Sequence, residues 1–377
     1  HGENKTFFVS RAYPGDQLIP HIYQQKKNTA WANVLELVKS SADRVEAPCP
    51  YFQVCGGCLW QGLSYEKQLF WKKEIVQEAL IKIGQLAPEI NKVIPATMRM
   101  TFRNKIELSF GVDKDRHPYL GFHLKGSYSQ VLKIDQCLIQ ADLANKTLKI
   151  LQGFFQNTSL SVYNPGNNQG LLKSLTIRYS LTDKKVLVIL LTNDEEFPLA
   201  EELSTLLKEK LQELLAGFLW FGETQKTGQK TSRKLKKQSG REFLTENING
   251  LIFKIPATAF FQTNTLQAIE LVQNVLKHAE LKPTDKVLDV YCGSGFFGLS
   301  CAKYCLEVTG IEIEEILIEM AQENARKNRI ENFSAIAGND RTLLKTLVEQ
   351  GKKFDICIID PPRSGLIPKV IERISAL

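Results

Sequence analysis

From Thr265 onward, short apolar runs alternate with longer stretches at helical spacing, and this rhythm constrains the fold more than any other feature. "TLQAIELVQNVLKHAEL" leads into the strand-like "KVLDVY", a glycine turn and another helix. "LEVTGIE", "FSAIA" and "FDICIID" follow, separated by helical sequence. Strands alternating with helices at this spacing make parallel pairs, so residues 256–377 predict a doubly wound, Rossmann-like α/β sheet.

Upstream the rhythm differs. Residues 94–255 are rich in strand-like runs ("FRNKIELSF", "SLTIRYS", "KVLVILLT", "GLIFKIP") and contain one clear helix, "LAEELSTLLKEKLQELLAG". This predicts antiparallel strands with flanking helices. The first 48 residues hold β-like runs around the Pro-Gly turn of "YPGDQ" and predict a small barrel. "SYEKQLFWKKEIVQEALIKIG" reads as a helix stopped by Gly84. A chain of 377 residues exceeds what one core usually serves. Three domains are expected: 1–48 a partial barrel, 49–255 α+β with the cysteine segment, and 256–377 α/β.

The longest apolar run, "VLVILL", is far too short to span a bilayer. No secretory pattern opens the chain, so a cytoplasmic location is expected. The net charge of +7 suits a polyanionic partner. Residues 226–241, "KTGQKTSRKLKKQSGR", carry seven Lys or Arg and no acid. They read either as a solvated loop or as a phosphate-contacting one.

Two motifs carry chemistry. In "VLDVYCGSGFFGLS", Gly293 and Gly295 stand between a strand and a helix, where glycines let a ligand approach the backbone. Glu312 closes the next strand, placed to accept hydrogen bonds from ribose hydroxyls. Asp360 of "DPPR" closes the fourth strand with a stiff loop. The second motif is "CPYFQVCGGCLWQ", with Cys49, Cys55 and Cys58 inside ten residues. Without a secretion signal, a metal site outweighs a disulfide framework. Four thiolates suit zinc or a [4Fe–4S] cluster equally well.

The glycine turn combined with "DPPR" resembles S-adenosylmethionine-dependent methyltransferases more than dehydrogenases. Across nearly the whole chain, "CPYFQVCGGCLWQGLSYEKQL", "FRNKIELSF", "FFQTN", "LDVYCGSGFFGL", "VTGIEI", "ENARKN" and "DPPRSGL" occur in order. This resembles the RNA uracil-5-methyltransferases, specifically their iron–sulfur branch acting on 23S ribosomal RNA. The resemblance implies that the N-terminal barrel is a TRAM/OB-like RNA-binding domain. It implies that Cys137 joins Cys49, Cys55 and Cys58 around one [4Fe–4S] cluster with a structural and RNA-docking role. It places S-adenosyl-L-methionine on Gln262, Tyr291, Gly293, Gly295, Glu312, Asn339 and Asp360. Phe296 stands where many members have Asn, which removes an amide contact and leaves a backbone one.

The family's cysteine nucleophile and glutamate base are expected beyond Leu377. The visible sheet also lacks the three strands that usually cover its fourth strand. The α/β domain is therefore expected to be incomplete at its C-terminus, and this chain to bind without catalysing. No protein partner is implied, and a monomer is expected. Two other functions fit parts of the pattern. "DPP" resembles loops of N-methyltransferases acting on exocyclic amines, and an RNA-binding iron–sulfur scaffold would need no catalytic groups.

Overall fold

The computed structural model describes residues 5–127, 129–224 and 232–377. They fall into two units, one drawn from His1–Ala96 and Leu120–Cys137, the other from Thr97–Tyr119 and Leu138–Leu377.

In the first unit, β1 (Thr6–Ser10), β2 (Gln17–Lys26) and β3 (Thr29–Lys39) form a sheet in the order β1-β3-β2. Asp16 fastens the turn into β2. Its carboxylate accepts from the amides of Tyr13 (2.6 Å) and Ser41 (2.9 Å) and from the Arg44 guanidinium (2.7 Å). Helix α1 (Tyr65–Lys82) is capped by Ser64 Oγ, which accepts from the Lys67 amide, and it stops before Gly84 as predicted.

Next in the chain, β4 (Lys105–Val112) belongs to the second unit. The chain then supplies the hairpin of β5 (Pro118–His123) and β6 (Val131–Lys133). Residues 120–137 of this stretch belong to the first unit, so Cys137 shares a unit with Cys49, Cys55 and Cys58.

The second unit continues with α2 (Asp142–Gln156), β7 (Leu172–Tyr179), β8 (Val186–Asn193), α3 (Ala200–Leu211), β9 (Leu215–Thr224) and β10 (Ser232–Gly240). Strands run β10-β9-β8-β7-β4, with β8 and β9 parallel and the other neighbours antiparallel. A parallel pair needs a crossover, and α3 supplies it. Three sequence expectations are corrected here. The helix predicted through Gly217 ends at Leu211, because Gln212 adopts a left-handed backbone (φ 49°) and β9 then pairs with β8. A second helix, α2, buries Leu148, Leu151 and Phe155 along one face. The described part of the basic stretch is a strand, β10, and not a loop; residues 226–231 lie outside the described residues.

After the hairpin of β11 (Phe243–Ile248) and β12 (Leu251–Pro256), the chain alternates as its periodicity predicts. The order is α4 (Thr265–Ala279), β13 (Lys286–Val290), α5 (Phe296–Ala302), β14 (Glu307–Glu312), α6 (Glu315–Lys327), β15 (Phe333–Ala337), α7 (Asp340–Glu349), β16 (Ile356–Ile359) and α8 (Pro368–Ala376). The sheet runs β15-β14-β13-β16, every pair parallel. Successive β13 residues serve opposite faces. Val287 packs with Leu299 and Val308, whereas Leu288 and Val290 pack with Leu344, Leu347 and Val370. Both faces are thus apolar, and polar groups are driven to the carboxyl edge of the strands.

Candidate functional site

That edge carries the polar residues. Beyond β13 the chain turns through Tyr291 (φ 68°), Gly293 (φ 54°) and Gly295 (φ 85°) before α5 begins. Gly295 needs both its left-handed backbone and its missing side chain, since a Cβ there would stand 2.8 Å from Leu299 Cδ1. A Cβ on Gly293 would meet nothing, so that backbone faces open space.

Glu312, at the end of β14, is 9% exposed. Its Oε2 accepts from the Gly293 amide at 3.1 Å, and its Oε1 accepts from the amides of Ile313 (2.8 Å) and Glu314 (3.1 Å). Backbone alone therefore fixes this carboxylate beside the glycine turn. Asn339 Oδ1 accepts from the Arg341 amide at 3.1 Å at the start of α7. Tyr291 donates to Asp340 Oδ2 at 2.6 Å, and burial together with that carboxylate keeps its phenol protonated.

A cleft of ≈ 1050 Å³ is lined by Gln262, Tyr291, Gly293, Glu312, Asn339 and Asp360, all predicted cofactor residues. Gly295 supports the turn without lining the cleft. Phe296 is turned away from it. Its ring is 7% exposed and packs against Phe253, Phe261 and Phe297, with centroids 5.9, 5.7 and 4.8 Å apart.

The same cleft is lined by Arg103, Lys105, Glu107 and Arg363, to which the sequence reading assigned no role, and by Phe260, which by sequence could, with Phe261, either shape a pocket for a base or belong to the core. Phe260 is 70% exposed, while its neighbour Phe261 belongs to the core. The segment carrying Phe260 and Gln262 is pinned from the central sheet. Arg178 donates to the carbonyls of Ala257 (3.0 Å) and Ala259, and Asn104 Nδ2 donates to the Gln262 carbonyl at 2.9 Å. Burial lowers Arg178 to about 10, which leaves it charged at neutral pH. Alternating charge at 103, 105 and 107 was the available signal, since a strand puts every second residue on one face.

Asp289, in β13 beneath the turn, is fully buried. Its Oδ2 accepts from the Gly298 amide at 2.7 Å, while Oδ1 has no partner among the described residues. Burial, opposed by that amide and reinforced by Asp360 and Glu312, pushes its carboxyl up to about 7. Burial also raises the thiols of Cys301, Cys305 and Cys357, to about 12, 11 and 12. Cys292 is raised in the same way, and its sulfur packs against Gly310 behind the turn.

The cysteine segment lies in the other unit. It is stitched to residues 120–137 by Gly56 N–H to the His123 carbonyl (3.0 Å) and Lys125 N–H to the Val54 carbonyl (2.9 Å). Tyr51 Oη adds a bond to Asp135 Oδ2 at 3.2 Å. A Cβ on Gly56 would stand 3.0 Å from the His123 carbonyl oxygen, which accounts for a small residue between Cys55 and Cys58. The Gly57 amide donates to Cys55 Sγ at 3.4 Å. Burial raises the Cys55 thiol; Cys58 and Cys49 add to the shift, and the Gly57 amide and Arg11 oppose it. Among the described residues, no three His, Cys, Asp or Glu side chains converge closely enough to hold a metal ion. A single zinc needs its thiolates about 3.8 Å apart, from tetrahedral bonds of about 2.3 Å. A cubane puts its own irons and sulfides between the thiolates and takes a wider shell; four half-buried thiols and an amide directed at the Cys55 sulfur form a donor set that fits either group.

In β10, three cations are already engaged. Arg233 pairs with Glu223 at 2.8 Å, Lys236 with Asp194 at 2.7 Å, and Lys237 with Glu201. Lys234 is exposed and makes no ion pair among the described residues. No described helix is long and apolar enough to cross a membrane.

A family model described as a methyltransferase domain matches residues 281–376. A curated RNA methyltransferase of Clostridium tetani is 31% identical over 99% of this chain and 81% of its own length. One from Caldanaerobacter subterraneus subsp. tengcongensis is 33% identical over 99% of this chain and 82% of its own. Among solved structures, the tRNA (uracil-54, C5)-methyltransferase of Pyrococcus abyssi, in complex with S-adenosyl-L-homocysteine, matches with a TM-score of 0.74. It is 27% identical, and the match covers 98% of this chain and 82% of that one.

Proposed function

Because the chain belongs to the RNA methyltransferase family, we propose that it serves methylation of C5 of a uridine, with 23S ribosomal RNA as substrate. One observation carries this reading. The residues suited to a nucleoside cofactor line the same cleft as Arg103, Lys105, Arg363 and the exposed Phe260, which suit a nucleotide.

S-Adenosyl-L-methionine, when bound, supplies an electrophilic methyl group. Glu312 accepts hydrogen bonds from its ribose hydroxyls, and the Nδ2 of Asn339, whose Oδ1 caps α7, is left to donate to the adenine. Asp360 and Gln262 complete the polar lining. On the RNA side, Phe260 offers a ring face to a base, and Arg103 and Lys105 offer positive charge to the nucleotide.

Uracil C5 is a poor nucleophile until a thiolate adds to C6. The C5 carbanion then takes the methyl group, a base removes the C5 proton, and the thiolate departs from C6. The buried thiols of the α/β sheet are held protonated and do not suit that role.

The Pyrococcus abyssi neighbour is a tRNA methyltransferase, so the choice of 23S RNA rests on the family resemblance that the cysteine segment carries. There we assign one [4Fe–4S] cluster to Cys49, Cys55, Cys58 and Cys137. Anaerobically purified full-length protein should carry about four irons per chain; stoichiometric zinc would exclude the cluster. Incubated with S-adenosyl-L-methionine, it should yield 5-methyluridine in protein-free 23S RNA. Product in tRNA alone would overturn the substrate, and a methylated exocyclic amine would overturn the chemistry.

A further inference from the structure

Arg11 follows β1 in a left-handed backbone conformation (φ 61°), which non-glycine residues adopt at a cost. Its guanidinium lies 4.6 Å above the centre of the Phe52 ring, and Nη2 donates to the Cys55 carbonyl at 2.7 Å. The other donors, on Nε and Nη1, are buried and have no partner among the described residues. Burying such donors unsatisfied is costly, so their natural complement is an acceptor that carries negative charge. Among the described residues, the acidic groups that act on Arg11 are Tyr13, Cys55 and Cys58, none of them a carboxylate. Lys125, whose amide donates to the carbonyl of Val54 beside Cys55 at 2.9 Å, brings a second cation. Two cations thus meet at the cysteine segment. The acid tied to that segment, Asp135, is engaged by Tyr51 at its other end, near Cys49.

A [4Fe–4S] cluster held by four thiolates is an anion, and reduction adds one more negative charge. Hydrogen bonds to its sulfurs and nearby charge are the levers by which a protein sets its potential. We infer that Arg11, seconded by Lys125, forms a cationic outer shell for the cysteine site, its buried Nε–H and Nη1–H donating to cluster or thiolate sulfur. This rests on the iron–sulfur reading above. Arg11 is a positioning and tuning residue here and not an iron ligand.

The test is an anaerobic redox titration with dithionite, followed by electron paramagnetic resonance, with iron and sulfide counted in each protein. The full-length parent is compared with Arg11→Gln, Arg11→Lys and Lys125→Gln. Arg11→Gln should make one-electron reduction about tenfold less favourable, a potential lower by about 59 mV. Arg11→Lys should recover part of the shift, and Lys125→Gln should move the same way by less. If Arg11→Gln loses its iron while Arg11→Lys retains it, the cation requirement stands. Unchanged potentials in Arg11→Gln and Lys125→Gln at full iron content would overturn this inference alone. So would loss of iron from both Arg11 variants with no shift in Lys125→Gln. A parent with zinc or no iron would overturn it together with the cluster reading.

Discussion

Two carboxylates at the glycine turn are held in opposite ways. Glu312 receives three backbone amides and stands at the cleft, whereas Asp289 is sealed beneath it with one oxygen unpartnered. Replacing Glu312 by Gln keeps the shape but removes the charged acceptor. S-Adenosyl-L-methionine binding should weaken by roughly 1.5–3 kcal/mol, the worth of a hydrogen bond to a charged group. Calorimetry checks this, and parental affinity in Glu312→Gln would remove Glu312 from the cofactor site. Asp289 predicts a pH dependence of stability. Its carboxyl is raised from 3.8 to about 7, so within that window the folded chain holds a proton that the unfolded chain has released. Its contribution is fully present at low pH and is lost as pH rises toward 7, by at most about 1.4 kcal/mol per pH unit. Asp289→Asn keeps an acceptor for the Gly298 amide and cannot ionise. The parent's urea midpoint should therefore fall relative to the variant's between about pH 5 and about pH 7.5. Parallel midpoints would place the proton elsewhere.

Among the elements, β10 changes what its charge means. Arg233, Lys236 and Lys237 are committed to acids from β9, from the turn after β8 and from α3, which leaves Lys234, and Arg241 just past the strand, as exposed cations without such a partner among the described residues. Replacing Lys234 and Arg241 by Gln should lower the log–log salt slope of RNA binding by about 1.4–1.8, at about 0.7–0.9 per phosphate contact. The pair Lys236→Gln and Lys237→Gln should leave the slope nearly unchanged. The reverse ranking, from filter binding at several salt concentrations, would return those paired lysines to the RNA surface. None of this was legible in "SRKLKKQSG". A lysine-rich run reads as a loop until β9 offers it a partner and distant acids neutralise it. Likewise "LAG" at 215–217 continues a helical pattern, and the left-handed turn at Gln212 that ends α3 leaves no mark in composition. Where information is local, the sequence sufficed. The β13–α5 turn, Glu312 one strand later and Asp360 at the end of β16 were readable because each is fixed by its own strand and the next turn. Asn104 holding the Gln262 carbonyl, 158 residues away, was not.

At the scale of the whole chain, one detour matters most. The polypeptide leaves its first unit at Ala96, and residues 120–137 return to it and bring Cys137 to the unit of the three clustered cysteines. The second unit holds the cleft that combines cofactor-type and RNA-type residues. The central claim is that this combination serves C5 methylation of 23S RNA. Its most direct test is nucleoside mass spectrometry of 23S RNA from cells with the full-length gene present, deleted and restored. At least one 5-methyluridine should vanish on deletion and return on restoration. A 5-methyluridine content that is the same in all three strains would contradict the account.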